Sequence, residues 1–514
     1  MSKTIIIIGA GLAGLSAALQ AAENGCNVKL VSSLPSERAQ SVMAESGINA
    51  ALNTKDENDS PEEHFTDTIK AACGLADPNA VWGMTQAAPE LVHWLLKLGV
   101  KFNMSGYDDV DLRNFGGQKK KRTAFAQSDT GKQIMTAMID AVRRKEASGM
   151  VERFSHHSFL TLPLCGNICC GCVIRDEYSQ ETVELPGDAV IVATGGMHGL
   201  FGNTTGSLSN TGEVTAELFR LGVPLANGEM IQYHPTTVKC GGKRMLISEA
   251  ARGEGGRLFA MKDGKQWYFM EEKYPELGNL MPRDITAREI WKVSHESEVF
   301  LDMTEISEEI ISNKLSGLAD DCMTYLHKDI RKEPVSVLPG IHYFMGGILV
   351  DEQHRTPIQN LYAAGECCAQ YHGANRLGGN SLLGALYGGR VAAKSACEQA
   401  DVVDLSCATQ IDFPPASQIS EIKQLNKVMQ ETMGVVRNEN TLLNGIQTVQ
   451  ALTGNLPLLG MAVLKSALAR KESRGAHWRE DYPKSNDNDY LKTTVARFDG
   501  KQIQISFVPV PERR

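Results

Sequence analysis

The sequence contains little cysteine, no strong charge surplus and no long hydrophobic run. Its 12 cysteines among 514 residues are far too few for a secreted disulfide scaffold and fit a reducing cytoplasm. Its 52 basic and 61 acidic side chains give a net charge of −9, which attracts neither nucleic acid nor anionic lipid. No segment approaches the roughly 18 consecutive apolar residues of a membrane-spanning helix. The composition is therefore that of a globular chain of about two to four domains.

The densest cysteine cluster lies at positions 165, 169, 170 and 172 and has two interpretations. One is a zinc or iron–sulfur site. However, no second cysteine cluster or neighbouring histidine set completes such a site, so we favour a hairpin that turns at Gly166 and Asn167. No CxxCH motif occurs, which excludes covalently attached c-type haem. We therefore predict no metal site in this chain.

The N-terminal segment combines a hydrophobic run with three closely spaced glycines. Lys3 and the apolar residues after it resemble an export signal. The competing prediction is a strand over Ile5–Ile8, a helix to about Asn24 and a second strand over Asn27–Ser32. Glycines between the first strand and the helix permit a tight turn, close approach to a pyrophosphate and close helix packing. We therefore predict that a dinucleotide binds at Gly9, Ala10, Gly11, Leu12, Ala13 and Gly14.

Two later segments, Ala189–Gly196 and Asn360–Glu366, repeat the pattern of a strand followed by glycine and are each expected to return the chain to an edge of the same sheet. Such interrupted returns are typical of large FAD domains with an inserted substrate domain. We predict an α/β fold whose interrupted Rossmann-like FAD-binding domain comprises residues 1–222 and 337–400. The other predicted parts of the chain are an inserted α+β capping domain (223–336), a C-terminal helical domain (401–475) and a C-terminal tail (476–514).

Helical spacing of apolar residues predicts helices in the cap and in the C-terminal region. The predicted helices are Pro282–Ser294, Ile306–His327, Ile419–Met433, Asn440–Leu452 and Leu458–Lys471, the last opened by Pro457. The tail contains a predicted strand over Gln502–Val508.

Six motifs rich in His, Arg and Gly follow one another along the chain. They are His234–Thr236, Ser248–Gly256, Pro282–Asp284, His342–Gly347, Gly373–Leu382 and Glu472–His477. In this order they resemble the flavoprotein subunits of succinate dehydrogenase and fumarate reductase, a family that also includes L-aspartate oxidase. The resemblance extends from Gly9 to Pro483 and covers essentially the whole chain.

The residue types suit the reduction of a double bond that lies between two carboxylates. That reaction needs a hydride on one face, a proton on the other and cations to hold the carboxylates. Arginine is always charged and grips a carboxylate with two parallel donors. The resemblance implies hydride transfer from FAD N5 to fumarate, with Arg283 in a first helical turn as proton donor. It implies three catalytic residues, Arg283, His234 and Arg252, and the substrate-binding residues His234, Ser248, Glu249, His342, Arg376, Phe115 and Gln118.

The resemblance also extends the FAD site beyond the glycine turn. It implies contacts from Ser32, Ser33, Gln40, Ser41, Ala44, Gly47, Glu213, Glu366, Asn380, Ser381 and Leu382. Gln40 stands where family members with covalent flavin have His, and an amide has no nucleophilic ring nitrogen. We therefore predict non-covalent FAD and, because the covalent bond supports succinate oxidation in the family, mainly fumarate reduction. Glu213 and Ser248 replace the Asp and Thr that the family commonly has.

Three alternative functions stay open. L-aspartate oxidases have Glu at the position of Phe115, and a phenyl ring cannot pair with a substrate ammonium. Phe115 and Met345 therefore favour fumarate, whereas Gln40 favours the non-covalent oxidases. Another enoate is a second alternative. A flavin module that relays electrons without its own dicarboxylate chemistry is the third, and the complete His and Arg set argues against it.

Electrons must reach this chain from another molecule, because the sequence has no iron–sulfur spacing, no haem motif and no second glycine-rich nucleotide turn. The resemblance implies an iron–sulfur subunit near the flavin and a membrane anchor beyond it, with a soluble reduced carrier as the alternative. It places the chain in the cytoplasm or, through partner subunits, on the inner face of the cell membrane, in the electron transport of anaerobic respiration. An acidic protein that binds a dianion must concentrate positive charge locally, and we expect that charge at Arg252, Arg283 and Arg376.

Overall fold

A computed structural model describes residues 2–400, 413 and 418–514 of the chain. The beginning of the predicted helical domain, 401–417, therefore lies outside the described residues apart from Phe413. Within the described parts of the chain, no helix combines the length and the apolar character that crossing a membrane requires.

A five-stranded parallel sheet forms the centre of the molecule. Its strands, in spatial order, are Leu361–Ala363, Ala189–Val192, Thr4–Ile8, Asn27–Ser32 and Val151–Ser155. The side chains of Ile5, Ile6 and Ile7 are completely buried, as expected for a parallel strand that is covered on both faces. The predicted strand–helix–strand unit is thereby confirmed, with a helix over Leu12–Glu23.

One detail of the sheet prediction is wrong. Ala189–Val192 lies between two other strands, and Leu361–Ala363 alone of the two returning strands forms the edge. Both strands are short, apolar and buried, so their sequences carry no signal that separates an edge from the interior. Only the order in which distant strands pair decides it.

Two helices pack together on this sheet, Leu12–Glu23 and Asn380–Gln399. The Ser16 hydroxyl donates a hydrogen bond to the Leu386 carbonyl at 2.7 Å. A Cβ atom on Gly389 would overlap the carbonyl oxygen of Ala13, so the glycine permits this close approach. The pairing brings the N-terminal ends of both helices to the same side of the sheet.

The remaining strands form smaller sheets around this centre. They are Thr182–Pro186, Gly171–Asp176 and His157–Thr161; Cys368–Ala369, Gly347–Leu349, Leu225–Ala226, Lys492–Phe498 and Ile503–Pro509; Lys243–Leu246, Ile231–Cys240 and Leu338–Phe344; Lys265–Trp267, Arg257–Lys262, Val299–Asp302 and Val335–Ser336; and Ile48–Asn49, Thr123–Ala124 and Leu112–Arg113. A two-stranded hairpin, Leu164–Cys165 with Ile168–Cys169, confirms the turn predicted at Gly166 and Asn167.

The remaining α-helices surround these sheets. They are Pro61–Ala71, Pro78–Lys97, Thr130–Ala147, Glu213–Arg220, Glu249–Gly253, Phe269–Lys273, Arg283–Val293, Glu308–Lys314, Ser316–Asp321, Ile419–Thr432, Glu439–Val449, Asn455–Ala469 and Asp487–Tyr490. Three of these helices were predicted: Ile419–Thr432, Glu439–Val449 and Asn455–Ala469. The third begins at Asn455, so Pro457 lies inside its first turn, where proline is tolerated.

Two predicted helices in the cap differ from the observed ones. Pro282 is the residue that caps the helix Arg283–Val293, so Arg283 is its first residue. The single helix expected over Ile306–His327 is broken into Glu308–Lys314, Ser316–Asp321 and a π-helical turn over Cys322–Leu326. Ser316 and Gly317 at the break have low helix propensity, and the apolar periodicity does not register this.

The tail is part of a sheet. Its strand Ile503–Pro509 pairs with Lys492–Phe498, which in turn pairs with Leu225–Ala226. The strand Leu225–Ala226 also pairs with Gly347–Leu349. The sheet thus combines segments from the predicted FAD-binding domain, cap and tail. The domain boundaries themselves stay a prediction.

Candidate active site

A cavity of about 580 Å³ opens at the carboxyl ends of the central strands. All five strands are followed by residues that line it: 9–13, 33–35, 157–159, 193–195 and 364–366. In parallel α/β sheets this edge is where ligands bind, and the volume is in the usual range of about 300–1,000 Å³ for ligand sites.

Most of the predicted FAD residues line this cavity. They are Gly9, Ala10, Gly11, Leu12, Ala13, Ser32, Ser33, Gln40, Ser41, Ala44, Gly47, Glu213, Glu366, Ser381 and Leu382. Gly14 and Asn380 do not. Gly14 packs against the carbonyl oxygen of Gly9, which is the helix-packing role expected for the third glycine. Asn380 is turned inward, and its Oδ1 accepts from Asn49 Nδ2 at 2.7 Å and contacts His64 Nε2 at 2.9 Å.

The glycine turn fits a dinucleotide. Gly9 has φ of 111°, and a Cβ atom there would overlap the carbonyl oxygen of Ala193. The first residues of the helix that begins at Leu12 line the cavity, and a helix N-terminus suits a pyrophosphate. At the end of the second strand, the buried Ser32 hydroxyl has no hydrogen-bond partner among the described residues. It is free to bind a ligand hydroxyl, so the residues present fit FAD.

Gln40 and Glu366 are fixed in the cavity wall by backbone amides. Gln40 Oε1 accepts a hydrogen bond from Ser207 N at 2.5 Å, which holds this side-chain amide in the cavity wall. Glu366 Oε1 accepts from Phe344 N at 3.1 Å. Both contacts join the glycine-rich side of the cavity to segments from the middle of the chain.

Three buried arginines, which we call the site arginines, lie together beside the cavity: Arg252, Arg283 and Arg376. Arg283 donates to Glu249 Oε2 from Nε at 2.7 Å and from Nη2 at 2.5 Å. The Arg252 Nη2 lies 3.5 Å from the other oxygen of the same carboxylate. Arg376 forms no ion pair with any described residue and lies over the Tyr343 ring, 4.5 Å from its centroid.

The site arginines retain unused hydrogen-bonding capacity. Within the described chain, Arg252 Nε and Nη2 and Arg376 Nε are buried without a hydrogen-bond partner. Burial, and then the positive charge of Arg283, lower the pKa of Arg376 to about 9. Burial tends to raise the pKa of Glu249, but Arg283 and Arg252 outweigh this and hold it below its usual value. Arg252 and Arg283 thus share one ionised carboxylate while Arg376 has no ion-pair partner among the described residues, and the surplus positive charge suits an anionic ligand.

Two histidines lie next to this charge. The rings of His234 and His342 are 5.1 Å apart, and His342 Nδ1 is 2.8 Å from the Thr205 hydroxyl. His234 Nε2 has no partner in the part of the chain that the structure describes. Burial and then Arg283 lower the pKa of both histidines well below the usual value. Both rings are therefore neutral at pH 7.

The structure distributes the predicted substrate residues over two layers. Arg283, His342 and Arg376 line the cavity, whereas His234, Arg252 and Glu249 lie in contact with them but do not line it. The other three are Ser248, Phe115 and Gln118. Ser248 Oγ caps a short helix and lies 3.3 Å from Ser46 Oγ. Phe115 is completely buried against the cap core, and Gln118 Nε2 donates to Gly378 O at 2.9 Å.

Sequence reasoning missed Gln232, Glu45 and Asn49. Gln232 Oε1 accepts from Arg283 Nη1 at 3.2 Å, and its Nε2 donates to Arg376 O at 2.9 Å, so it connects two site arginines. It precedes His234 by two positions in one strand, and residues i and i+2 share a face, which is a signal that could have found it. Glu45 lines the cavity, and Asn49 holds Gly378 and Asn380. Neither of these two has such a signal.

The parallel sheet, the glycine turn and the cavity define a dinucleotide-binding flavoprotein. A family model described as FAD binding domain matches residues 4–382, and one described as fumarate reductase flavoprotein C-term matches 452–513. The chain is 37% identical to the succinate dehydrogenase flavoprotein subunit of Bacillus subtilis, over 100% of this chain and 98% of that protein. It is 32% identical to the 8-methylmenaquinol:fumarate reductase flavoprotein subunit of Wolinella succinogenes, over 100% of this chain and 92% of that protein.

A solved structure agrees with these relatives. The fold matches a variant FrdA of E. coli quinol fumarate reductase with a TM-score of 0.90 at 27% identity, over 99% of this chain and 97% of that one. The chain belongs to the family of succinate dehydrogenase and fumarate reductase flavoprotein subunits. It is accordingly an FAD-dependent oxidoreductase that acts on CH–CH groups.

Proposed function

We propose that this protein reduces fumarate to succinate in preference to the reverse reaction. The observation that carries the choice of a dicarboxylate is the positive charge beside the FAD cavity, where Arg252 and Arg283 share the Glu249 carboxylate and Arg376 has no ion-pair partner among the described residues. The preferred direction rests on Gln40, which lines the cavity at the position where covalent family members have His. Arg376 lines the cavity and can neutralise a substrate carboxylate, and Arg283, which also lines it, lies beside that position. Among the predicted substrate residues, Phe115 adds no carboxylate for a substrate ammonium, which weighs against L-aspartate oxidation.

In this proposal each residue has a separate task. Arg376 and the neutral His342 bind substrate carboxylates from the cavity wall, with Arg252 and His234 in contact behind them. Glu249 stays ionised and grips Arg283 with two hydrogen bonds, which fixes the guanidinium that delivers the proton. Gln232 holds Arg283 and the backbone of Arg376 in register. FAD, when bound in the cavity, supplies the hydride.

The FAD of this protein is proposed to be non-covalent. Gln40 lies in the cavity wall and its side-chain oxygen is engaged by Ser207 N, and an amide cannot form the link that a His forms in covalent members. Acid precipitation of the FAD-loaded protein is expected to release the flavin into the supernatant. Flavin that stays with the washed polypeptide would show the assignment of Gln40 to be wrong.

Electrons are proposed to arrive through an iron–sulfur subunit that docks near the cavity. The sequence contains no second nucleotide turn, and the relatives are themselves named as subunits of larger enzymes. Through that partner the chain would work in the cytoplasm or at the inner face of the cell membrane.

The experiment that tests the function uses the purified, FAD-loaded chain with a reduced dye as electron donor. We expect fumarate-dependent oxidation of the dye and a shift of the flavin absorption spectrum on addition of fumarate. Succinate oxidation with an oxidised dye is expected to be slower. Formation of hydrogen peroxide and oxaloacetate from aspartate, without turnover of fumarate, would instead identify an L-aspartate oxidase.

A further inference from the structure

Two cysteine thiols that are far apart in the sequence are in contact. Cys26 Sγ and Cys397 Sγ are 2.9 Å apart although 371 positions separate them in the sequence. Neither belongs to the hairpin cluster at 165–172, and both are free thiols. Cys26 is buried, whereas Cys397 is partly exposed to solvent.

The two thiols join elements that build the FAD cavity. Cys26 follows the helix Leu12–Glu23, and Cys397 lies in the last turn of the helix Asn380–Gln399. The first turns of these two helices supply cavity residues, including Leu12 and Leu382. A bond between the thiols would therefore clamp the helix pair at the ends that lie away from the cavity.

We propose that Cys26 and Cys397 form a redox-sensitive dithiol that a hydroperoxide converts into a disulfide. The more accessible Cys397 sulfur attacks a peroxide oxygen, the O–O bond breaks, and Cys397 becomes a sulfenic acid as water leaves. The Cys26 sulfur then attacks Cys397 Sγ, the S–S bond forms, the S–O bond breaks, and a second water leaves. In sum, two thiols and one hydrogen peroxide give one disulfide and two waters.

The surroundings set the conditions for this reaction. Burial, followed by the contact with Cys26, raises the pKa of Cys397, and the Lys3 charge opposes this. Lys3 Nζ donates to the Cys397 carbonyl at 2.8 Å and so stays near the pair. Because the thiolate is the reactive form, oxidation is expected to be slow at neutral pH and faster as the pH rises.

Thiols that adjoin each other elsewhere in the fold are competitors. Cys367 and Cys368 are neighbours in the sequence, and both are buried. Burial limits their access to peroxide, so they serve as an internal comparison for the partly exposed Cys397. A disulfide between Cys367 and Cys368 would close a ring within two residues, whereas one between Cys26 and Cys397 joins two helices.

The test treats the FAD-loaded protein with hydrogen peroxide at pH 7 and pH 8.5, blocks remaining thiols and maps peptides without reduction. We expect a loss of about 2 Da in intact mass, the two thiol hydrogens, and a cross-linked peptide that contains Cys26 and Cys397. A thiol reductant should reverse both changes. Cys26→Ser and Cys397→Ser should each abolish the cross-link, whereas Cys73→Ser, which removes another partly exposed thiol, should leave it intact.

A second readout follows the flavin. The cross-link spans most of the chain and restricts its unfolded state, so the oxidised protein should release FAD several-fold more slowly on heating than the reduced protein. Cys397→Ser should show no such difference between oxidised and reduced samples. The proposal is overturned if peroxide yields Cys397 sulfinic acid without a cross-link, or if the cross-link joins other cysteines.

Discussion

Two sets of buried arginines in this molecule differ in how their charge is balanced. Of the site arginines, Arg252 and Arg283 share Glu249, and Arg376 has no ion-pair partner among the described residues. The C-terminal arginines, Arg470, Arg474 and Arg479, are as deeply buried, at most 7% exposed, but each has at least one carboxylate partner. The two sets are thus buried to a similar extent but differ in the number of carboxylate partners.

The C-terminal arginines use their donors within the protein. Arg470 bonds Glu229 and Glu472 at 2.7 Å each and also donates to Tyr490 O, Lys492 O and Thr494 Oγ1. Arg474 shares Glu472, and Arg479 forms a bidentate pair with Asp481 at 2.7 and 2.6 Å. Saturated donors hold segments of the chain together and leave nothing for a ligand. These two sets therefore differ in unpaired donors and not in burial.

The largest expected effect is on catalysis at Arg283. Arg283→Gln removes the proposed proton donor, so kcat for fumarate reduction should fall by about 10²–10⁴-fold while bound FAD is retained. Steady-state kinetics with a reduced dye and the flavin-to-protein ratio measure the two quantities.

Arg257→Gln is the matched control, because Arg257 also holds a carboxylate with two hydrogen bonds but lies in a partly exposed pair with Glu271. It should retain kcat. A kcat for Arg283→Gln close to that of the control would remove Arg283 from the proton-donor role.

The next effect separates the two arginine sets by stability. Arg470→Met leaves the buried Glu229 and Glu472 carboxylates without Arg470 and should destabilise the protein by about 3–5 kcal/mol. Arg376→Met removes a buried cation that has no ion-pair partner among the described residues, so the free energy of unfolding should stay unchanged or rise. Denaturant midpoints of the FAD-loaded wild type, Arg470→Met and Arg376→Met proteins measure the two changes in stability.

The same two substitutions should affect substrate binding in the opposite order, with the larger effect from Arg376→Met. Arg376→Met should raise KM for fumarate by about 10–100-fold, the loss of one charge-assisted contact of about 1.5–3 kcal/mol. An Arg470→Met protein that remains folded should keep its KM. Equal destabilisation by both substitutions would contradict the distinction between the two arginine sets.

The last expected effect is a pH dependence that Glu45 introduces beside the cavity. Burial, together with Asp321, raises the pKa of Glu45 from 4.5 to about 8, with Arg113 in opposition. A raised carboxyl pKa contributes stability that is complete below about pH 4.5 and is lost as the pH rises through about 8. Glu45→Gln cannot ionise, so the fall of the thermal midpoint between pH 5 and pH 8 should become shallower.

Glu305→Gln, at an exposed glutamate, serves as the control and should keep the wild-type profile. The same slope in Glu45→Gln and in the control would mean that Glu45 does not titrate in this range.

Local patterns predicted most of what depends on neighbours along the chain. The strand Asn27–Ser32 was predicted with its observed bounds, because alternation and flanking turn residues define a strand locally. The glycine turn was found for the same reason, since its spacing is itself the conformational requirement. Predictions that needed pairing between distant segments were poorer, as the position of Ala189–Val192 inside the sheet shows.

By itself, the sequence determined the dinucleotide turn, the class of fold and the types of residue in the candidate site, because each is written in short, contiguous motifs. Tertiary structure alone decided which cations stay unpaired. Nothing in the local sequence distinguishes Arg283 from Arg470. The packing of remote segments gives Arg283 one carboxylate, which it shares, and gives Arg470 two carboxylates. It also turned Asn380 inward and brought Cys26 to Cys397. Such contacts depend on how segments hundreds of residues apart meet, and no local pattern records that.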